Sequence, residues 1–118
     1  MNKNIKIEVL IATPPTSKCQ ETLAVLEEIV RRYPDETRLL VFRRGVDFLP
    51  PELRMEKPEA GEGEIIREAS VQMRQLINKG CAVPTVVVDG VLFSSLVVPD
   101  REELERRMQE ILQSASKG

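Results

Sequence analysis

The 118-residue chain contains no histidine and no tryptophan. Without an imidazole, Ser-His and Cys-His catalysis are excluded, and so is every histidine metal site. The cysteines are Cys19 and Cys81, too few to close a structural zinc site within one chain. Aromatic residues make up only 3% of a sequence that is 42% hydrophobic, so the core must be mainly aliphatic. Neither sign of charge dominates: 17 Lys and Arg stand against 19 Asp and Glu, a net charge of −2. The clustered basic excess of a nucleic-acid surface is missing. No apolar run approaches the about 20 residues of a membrane-spanning helix. Met1-Asn2-Lys3-Asn4 leads into Lys6 and Glu8 rather than into the apolar segment of a signal peptide. The expectation is a cytoplasmic protein with no nucleic-acid or membrane partner and no metal. Two cysteines in that setting are more often reduced or redox-active than a structural staple.

What is present reads as one domain over residues 1–118. Ile5, Ile7 and Val9 alternate with Lys6 and Glu8, and Leu10-Ile11-Ala12 continue as an apolar run. This predicts a strand over 5–12 that becomes buried on both faces. Thr13-Pro14-Pro15-Thr16 breaks it. A helix should start at Thr16 or Ser17, where Ser17 and Gln20 have capping-box spacing. Leu23, Leu26, Ile29, Val30 and Tyr33 fall on one face of it, Glu27–Arg31 and Glu28–Arg32 have i,i+4 spacing, and Pro34 ends it. Arg38 to Phe42 predicts a second strand, so the first half is a βαβ unit with a parallel pair.

Residues 45–64 are different in kind. Prolines at 50, 51 and 58 remove ladder donors, glycines at 61 and 63 raise the cost of ordering, and glutamates recur. A long loop or excursion is expected, anchored at Phe48-Leu49. Gly61-Glu62-Gly63 is no phosphate loop, because no strand precedes it and no Lys-Ser/Thr follows. No cofactor motif occurs elsewhere. Ile65 to Asn78 predicts a helix with Ile66, Ala69, Met73, Leu76 and Ile77 on one face, closed by Gly80. Pro84 then precedes the β-branched run Thr85-Val86-Val87-Val88, where it can only stand at the strand's entrance. Asp89-Gly90 between that run and Val91–Val98 is a strong hairpin signal, since a type I′ turn needs positive φ at both central residues. Asp100 and Glu103 open a last helix with Leu104, Met108, Ile111 and Leu112 on its apolar face. Ser114 to Gly118 should fray.

The resulting order, β-α-β-α-β-β-α, is an α/β layered domain. With Val83-Pro84-Thr85 and the terminal hairpin, it resembles the thioredoxin fold, and in particular the small thioredoxin-like and glutaredoxin-like proteins. That resemblance covers about residues 5–43 and 65–113. It implies a central mixed sheet of four strands flanked by helices and a cis bond at Val83–Pro84. It also implies a substrate loop in which Val83, Pro84 and Thr85 lie beside an active-site turn. The family's Cys-x-x-Cys would fall on Thr16-Ser17-Lys18-Cys19, with Thr16 where the attacking cysteine belongs. A second register reads Cys19-Gln20-Glu21-Thr22 as a one-cysteine motif.

Two chemistries follow from the resemblance. Cys19, near a helix N-terminus and beside Lys18, would favour its thiolate and carry weak thiol–disulfide exchange with a protein or low-molecular-weight thiol. Cys81 would be its resolving partner, or merely a small residue after the helix. The protein is then an oxidoreductase lacking the first motif cysteine. Alternatively Cys19 is buried and inert, and the chain is a non-catalytic binding module that offers Val83's backbone to an extended peptide. A homodimer with Phe48 and Leu49 at its contact is the third expectation, so the chain acts as a monomer or a homodimer.

Overall fold

Alternation followed by an apolar run gives the first strand two buried faces, and the helices divide between them. The computed structural model describes residues 4–45, 68–79 and 83–117. Among these the elements are β1 (Ile5–Ile11), α1 (Ser17–Arg32), β2 (Thr37–Arg43), α2 (Val71–Asn78), β3 (Thr85–Val88), β4 (Val91–Ser95) and α3 (Arg101–Lys117). The strands form one mixed sheet of order β2-β1-β3-β4. β1 runs parallel to β2 and antiparallel to β3, and β4 returns antiparallel beside β3. The expected α/β class, four-stranded mixed sheet and element order are those observed. The expected 45–64 excursion lies, but for Gly45, outside the described residues, and so do Phe48 and Leu49.

β1 sits in the middle and distributes its side chains by the two-residue period of a strand. Ile5, Ile7, Val9 and Ile11 join Cys19, Leu26 and Ile29 of α1, Val86 and Val88 of β3, and Leu104 and Met108 of α3 in one core. Leu10 points the other way, into a second core with Phe42, Val87, and Ala69, Met73 and Ile77 from the α2 side. The result is helices on both faces of a sheet. Arg32 pairs with Glu105, and Arg101 with Glu28, so two ion pairs fasten α1 to α3. These charges were expected to serve i,i+4 pairs along α1. They reach across to the neighbouring helix instead, because the two helices share one face of the sheet.

Of the expected helix over 65–78, residues 65–67 lie outside the described residues, and the remainder is interrupted. Glu68 is helical, Ala69 and Ser70 are not, and α2 begins afresh at Val71. Ser70 is its N-cap, with Oγ accepting from the Met73 amide at 3.2 Å. The Ser70 amide donates to Glu8 Oε2 at 2.8 Å. Glu8 has no solvent exposure. Its buried carboxylate therefore meets the positive N-terminal end of α2, and its other oxygen, Oε1, has no hydrogen-bond partner among the described residues. At the far end α3 is assigned as far as Lys117, and no proline or glycine interrupts it before Gly118.

The hairpin follows its turn residues. Asp89 has φ 51° and Gly90 φ 81°, the two positive values that an Asp-Gly hairpin turn supplies cheaply. Val86 pairs with Ser94 and Val87 with Leu92, which leaves Phe93 as a one-residue bulge in β4. Among the described residues no helix is long and apolar enough to cross a membrane.

Candidate functional site

The corner where β1 ends, α1 begins and β3 starts gathers the residues singled out by sequence. Leu10 stands opposite Thr85 in the β1–β3 register, so the loop after β1 runs beside Val83–Pro84. The Thr13–Pro14 and Val83–Pro84 peptide bonds are both cis.

Thr16 is the N-cap of α1, in extended conformation at φ −75° and ψ 171°. Its Oγ1 accepts from the Cys19 amide at 3.2 Å, and the same hydroxyl donates to Cys19 Sγ at 3.1 Å. One hydroxyl carries a donor and two acceptor sites, so it can serve both contacts. Thr16 is therefore the cap and Ser17 the first helical residue, so the cap stands one position before the expected Ser17–Gln20 capping box. Thr16, Ser17 and Lys18 are exposed. Cys19 is not: its exposure is 0%, and it belongs to the core beneath the sheet. It is a free thiol. Helical geometry explains the contrast, because position 19 lies on the stripe shared with Leu26 and Ile29, about two and three turns on. Cys81, the expected second thiol, lies outside the described residues.

The other wall is made by the entrance to β3. Pro84 and Thr85 are buried and Val83 is half-buried. Val83 packs against both cores, at the seam between the layers. The Thr85 hydroxyl lies 3.0 Å from that of Ser95 across the β3–β4 pair. The Pro84 carbonyl accepts from the Leu96 amide at 2.8 Å, and the Leu96 carbonyl in turn receives Lys18 Nζ at 3.4 Å. This relay ties the first turn of α1 to the Pro84 loop through one residue. Leu96 holds φ 67° although it is neither glycine nor asparagine. Such backbone is costly for a branched residue and persists only where its surroundings fix it. Leu96 escaped sequence reasoning because nothing in Ser94-Ser95-Leu96-Val97 signals a left-handed residue.

Of the sequence-named residues, then, Thr16, Cys19, Val83, Pro84 and Thr85 fall at one corner, with Lys18 and Leu96 joining them. The surface there is a hydroxyl, an ammonium, backbone and the exposed Leu96 side chain. Among the described residues no group of three or more acidic or thiol side chains could hold a metal ion. A separate surface hollow, lined by Glu27, Val30, Arg31 and Leu39, lies between the later part of α1 and β2 and takes in none of these residues. No protein-family model matches the chain, and no curated protein matches it closely enough to count as a relative.

Proposed function

We propose that this chain is a thioredoxin-like binding module that works without thiol chemistry, taking an extended protein segment against the Val83–Pro84 loop. The strand order with one parallel and two antiparallel pairings supports the fold assignment, as does the proline at the entrance of β3. The observation that carries the function is the state of Cys19: it has no exposed surface, and its sulfur is capped by the Thr16 hydroxyl. In the register that this reading adopts, the exposed Thr16 stands where a dithiol enzyme would present its attacking sulfur. An extended segment could instead pair with main chain at Val83, an interaction that needs no cysteine. A cytoplasmic location goes with this reading.

A second reading keeps weak exchange at Cys19, because its sulfur lies in the first turn of a helix and receives a hydroxyl donor. In it the Cys19 sulfur attacks a substrate disulfide, forms a mixed disulfide and releases one thiol. A low-molecular-weight thiol then attacks the substrate sulfur of that adduct, returning Cys19 as a thiol and leaving a disulfide between itself and the half that Cys19 held.

Thiol accessibility separates the two. In a Cys81→Ser background Cys19 is the sole thiol. The binding reading expects it to resist a thiol reagent until the protein is unfolded, and the folded protein to leave insulin disulfides intact in the presence of dithiothreitol beyond the reagent's own rate. Rapid stoichiometric labelling of folded protein, or turnover lost in Cys19→Ser, would overturn it in favour of exchange.

A further inference from the structure

The sheet has two edges, and the chain treats them differently. β2 carries Arg38 and Arg43, both exposed, the kind of charge that keeps an edge from pairing with another chain. β4 and the residues after it, Val91-Leu92-Phe93-Ser94-Ser95-Leu96-Val97-Val98, carry no charge at all. Apart from Val71, the exposed large hydrophobics among the described residues are Val91 at 53%, Leu92 at 41%, Leu96 at 56% and Val97 at 53%. They concentrate on one edge instead of scattering singly, which is the pattern of an interaction surface. Leu96 sharpens the point. Glycine would hold its φ without strain, and its side chain is largely outside the core, so folding alone does not account for a leucine there.

We propose that β4 is a self-association edge, pairing antiparallel with β4 of a second copy about a two-fold axis at Phe93. The occupant follows from self-complementarity, which a two-fold interface requires. In that register Val91 meets Ser95 of the partner subunit, Leu92 meets the partner's Ser94, and Leu96 meets the partner's Gly90. Away from the axis, where Phe93 meets its own copy, each of these large side chains faces a small residue. Gly90 has nothing within 4 Å of where a Cβ would stand, so there is room for the incoming leucine. Charge is complementary as well. Lys18 reaches the Leu96 end of the strand and Asp89 marks the other end, so the antiparallel arrangement brings opposite charges toward each other at both ends. The bulge at Phe93 lies on the axis and bends both copies equally. A five-residue strand with this flanking patch is short against the roughly 20–30 residues a side of a standard interface. The dimer is therefore weak and concentration-dependent.

Sedimentation velocity on the full chain over a wide concentration series tests this. The wild-type weight-average mass is expected to rise from the monomer toward twice that value. Amide shifts on dilution should concentrate at residues 90–97 and Lys18. Val91→Lys sets two ammonium groups into the shared edge and should hold the chain at monomer mass throughout. Its circular dichroism and thermal midpoint should stay at wild-type values, since the side chain is exposed. Lys18→Glu should raise the dissociation constant by roughly fivefold, the scale of two weak exposed ion pairs, one at each end. A wild-type chain that is monomeric at every concentration overturns the proposal. So does a dimer that Val91→Lys leaves intact, and one lost only on replacing Phe48 and Leu49 would place the contact there instead. Because Val91 lies at the opposite end of β4 from Pro84, failure here leaves the Cys19 labelling result untouched.

Discussion

The hydroxyl of Thr16 lies 3.1 Å from Cys19 Sγ and 3.2 Å from Cys19 N, so one side chain both starts α1 and closes off its buried thiol. Removing that hydroxyl has a thermodynamic consequence. Thr16→Ala is expected to destabilise the fold by about 1 kcal/mol, the usual worth of an N-cap. Thr16→Ser should recover most of it. Urea unfolding of the three proteins gives the comparison, and an alanine variant as stable as wild type would show that the cap contributes nothing.

Thr16→Cys creates a Cys-x-x-Cys turn. The native contact between the Thr16 hydroxyl and the Cys19 sulfur places the two side chains in reach of one another. Mild oxidation of that variant in a Cys81→Ser background should remove both free thiols without forming a dimer. Retention of both thiols would argue for the other register, in which Cys19 opens the motif.

Glu8 should matter more than its place in a charged alternation suggests. Glu8→Ala leaves the Ser70 amide without its acceptor and opens a cavity beneath α2. A loss of about 3 kcal/mol is expected. Glu8→Gln keeps an acceptor of the same shape and should cost much less. Equal effects of the two substitutions, measured by denaturant unfolding, would count against the Ser70 contact as the cause.

The fold was legible where local signals agree with tertiary structure. Alternation in Ile5–Val9, the proline breaks at 14 and 34, the Asp89-Gly90 turn and the apolar stripes of α1 and α3 each mark an element that the structure contains. What sequence misplaced depends on partners far along the chain. Nothing near Ser70 says that its amide is claimed by Glu8, 62 positions earlier, so the apolar stripe from Ile66 to Ile77 reads as one helix. The charges of α1 likewise find α3, 73 positions away. At the candidate site, the stripe containing Leu26 and Ile29 could have placed Cys19 inward. The strain at Leu96 left no mark in sequence at all.

The α1–α3 ion pairs give a pH dependence of definite sign. The hydrogen bond from Arg101 holds the Glu28 carboxyl below its ordinary pKa; desolvation opposes it, and the charges of Arg101, Arg32 and Arg31 add to the lowering. A carboxyl depressed in the folded state contributes stability above its unfolded pKa, and that contribution fades as pH falls through the folded value. The thermal midpoint of wild type should therefore exceed that of Glu28→Gln by a small margin near neutrality. The gap should close in acid and shrink in high salt, because the pair is solvent-exposed. A gap that persists in acid would mean the substitution acts through packing.

Leu96 supplies the sharpest test of what its side chain is for. Its φ of 67° is unfavourable for leucine by roughly 1 kcal/mol and free of strain for glycine. Its exposure of 56% leaves little burial to lose. Leu96→Gly adds entropy to the unfolded chain but relieves the folded one, so monomer stability should hold or rise by up to about 1 kcal/mol. The Leu96 amide and carbonyl still serve Pro84 and Lys18, because both contacts are backbone at this residue. Self-association should weaken at the same time, since the side chain facing the partner's Gly90 is gone. Dilute thermal melts and concentrated sedimentation runs on one variant separate these effects. Clear destabilisation at dilution would show that the leucine serves the fold after all, and unchanged association would remove it from the interface.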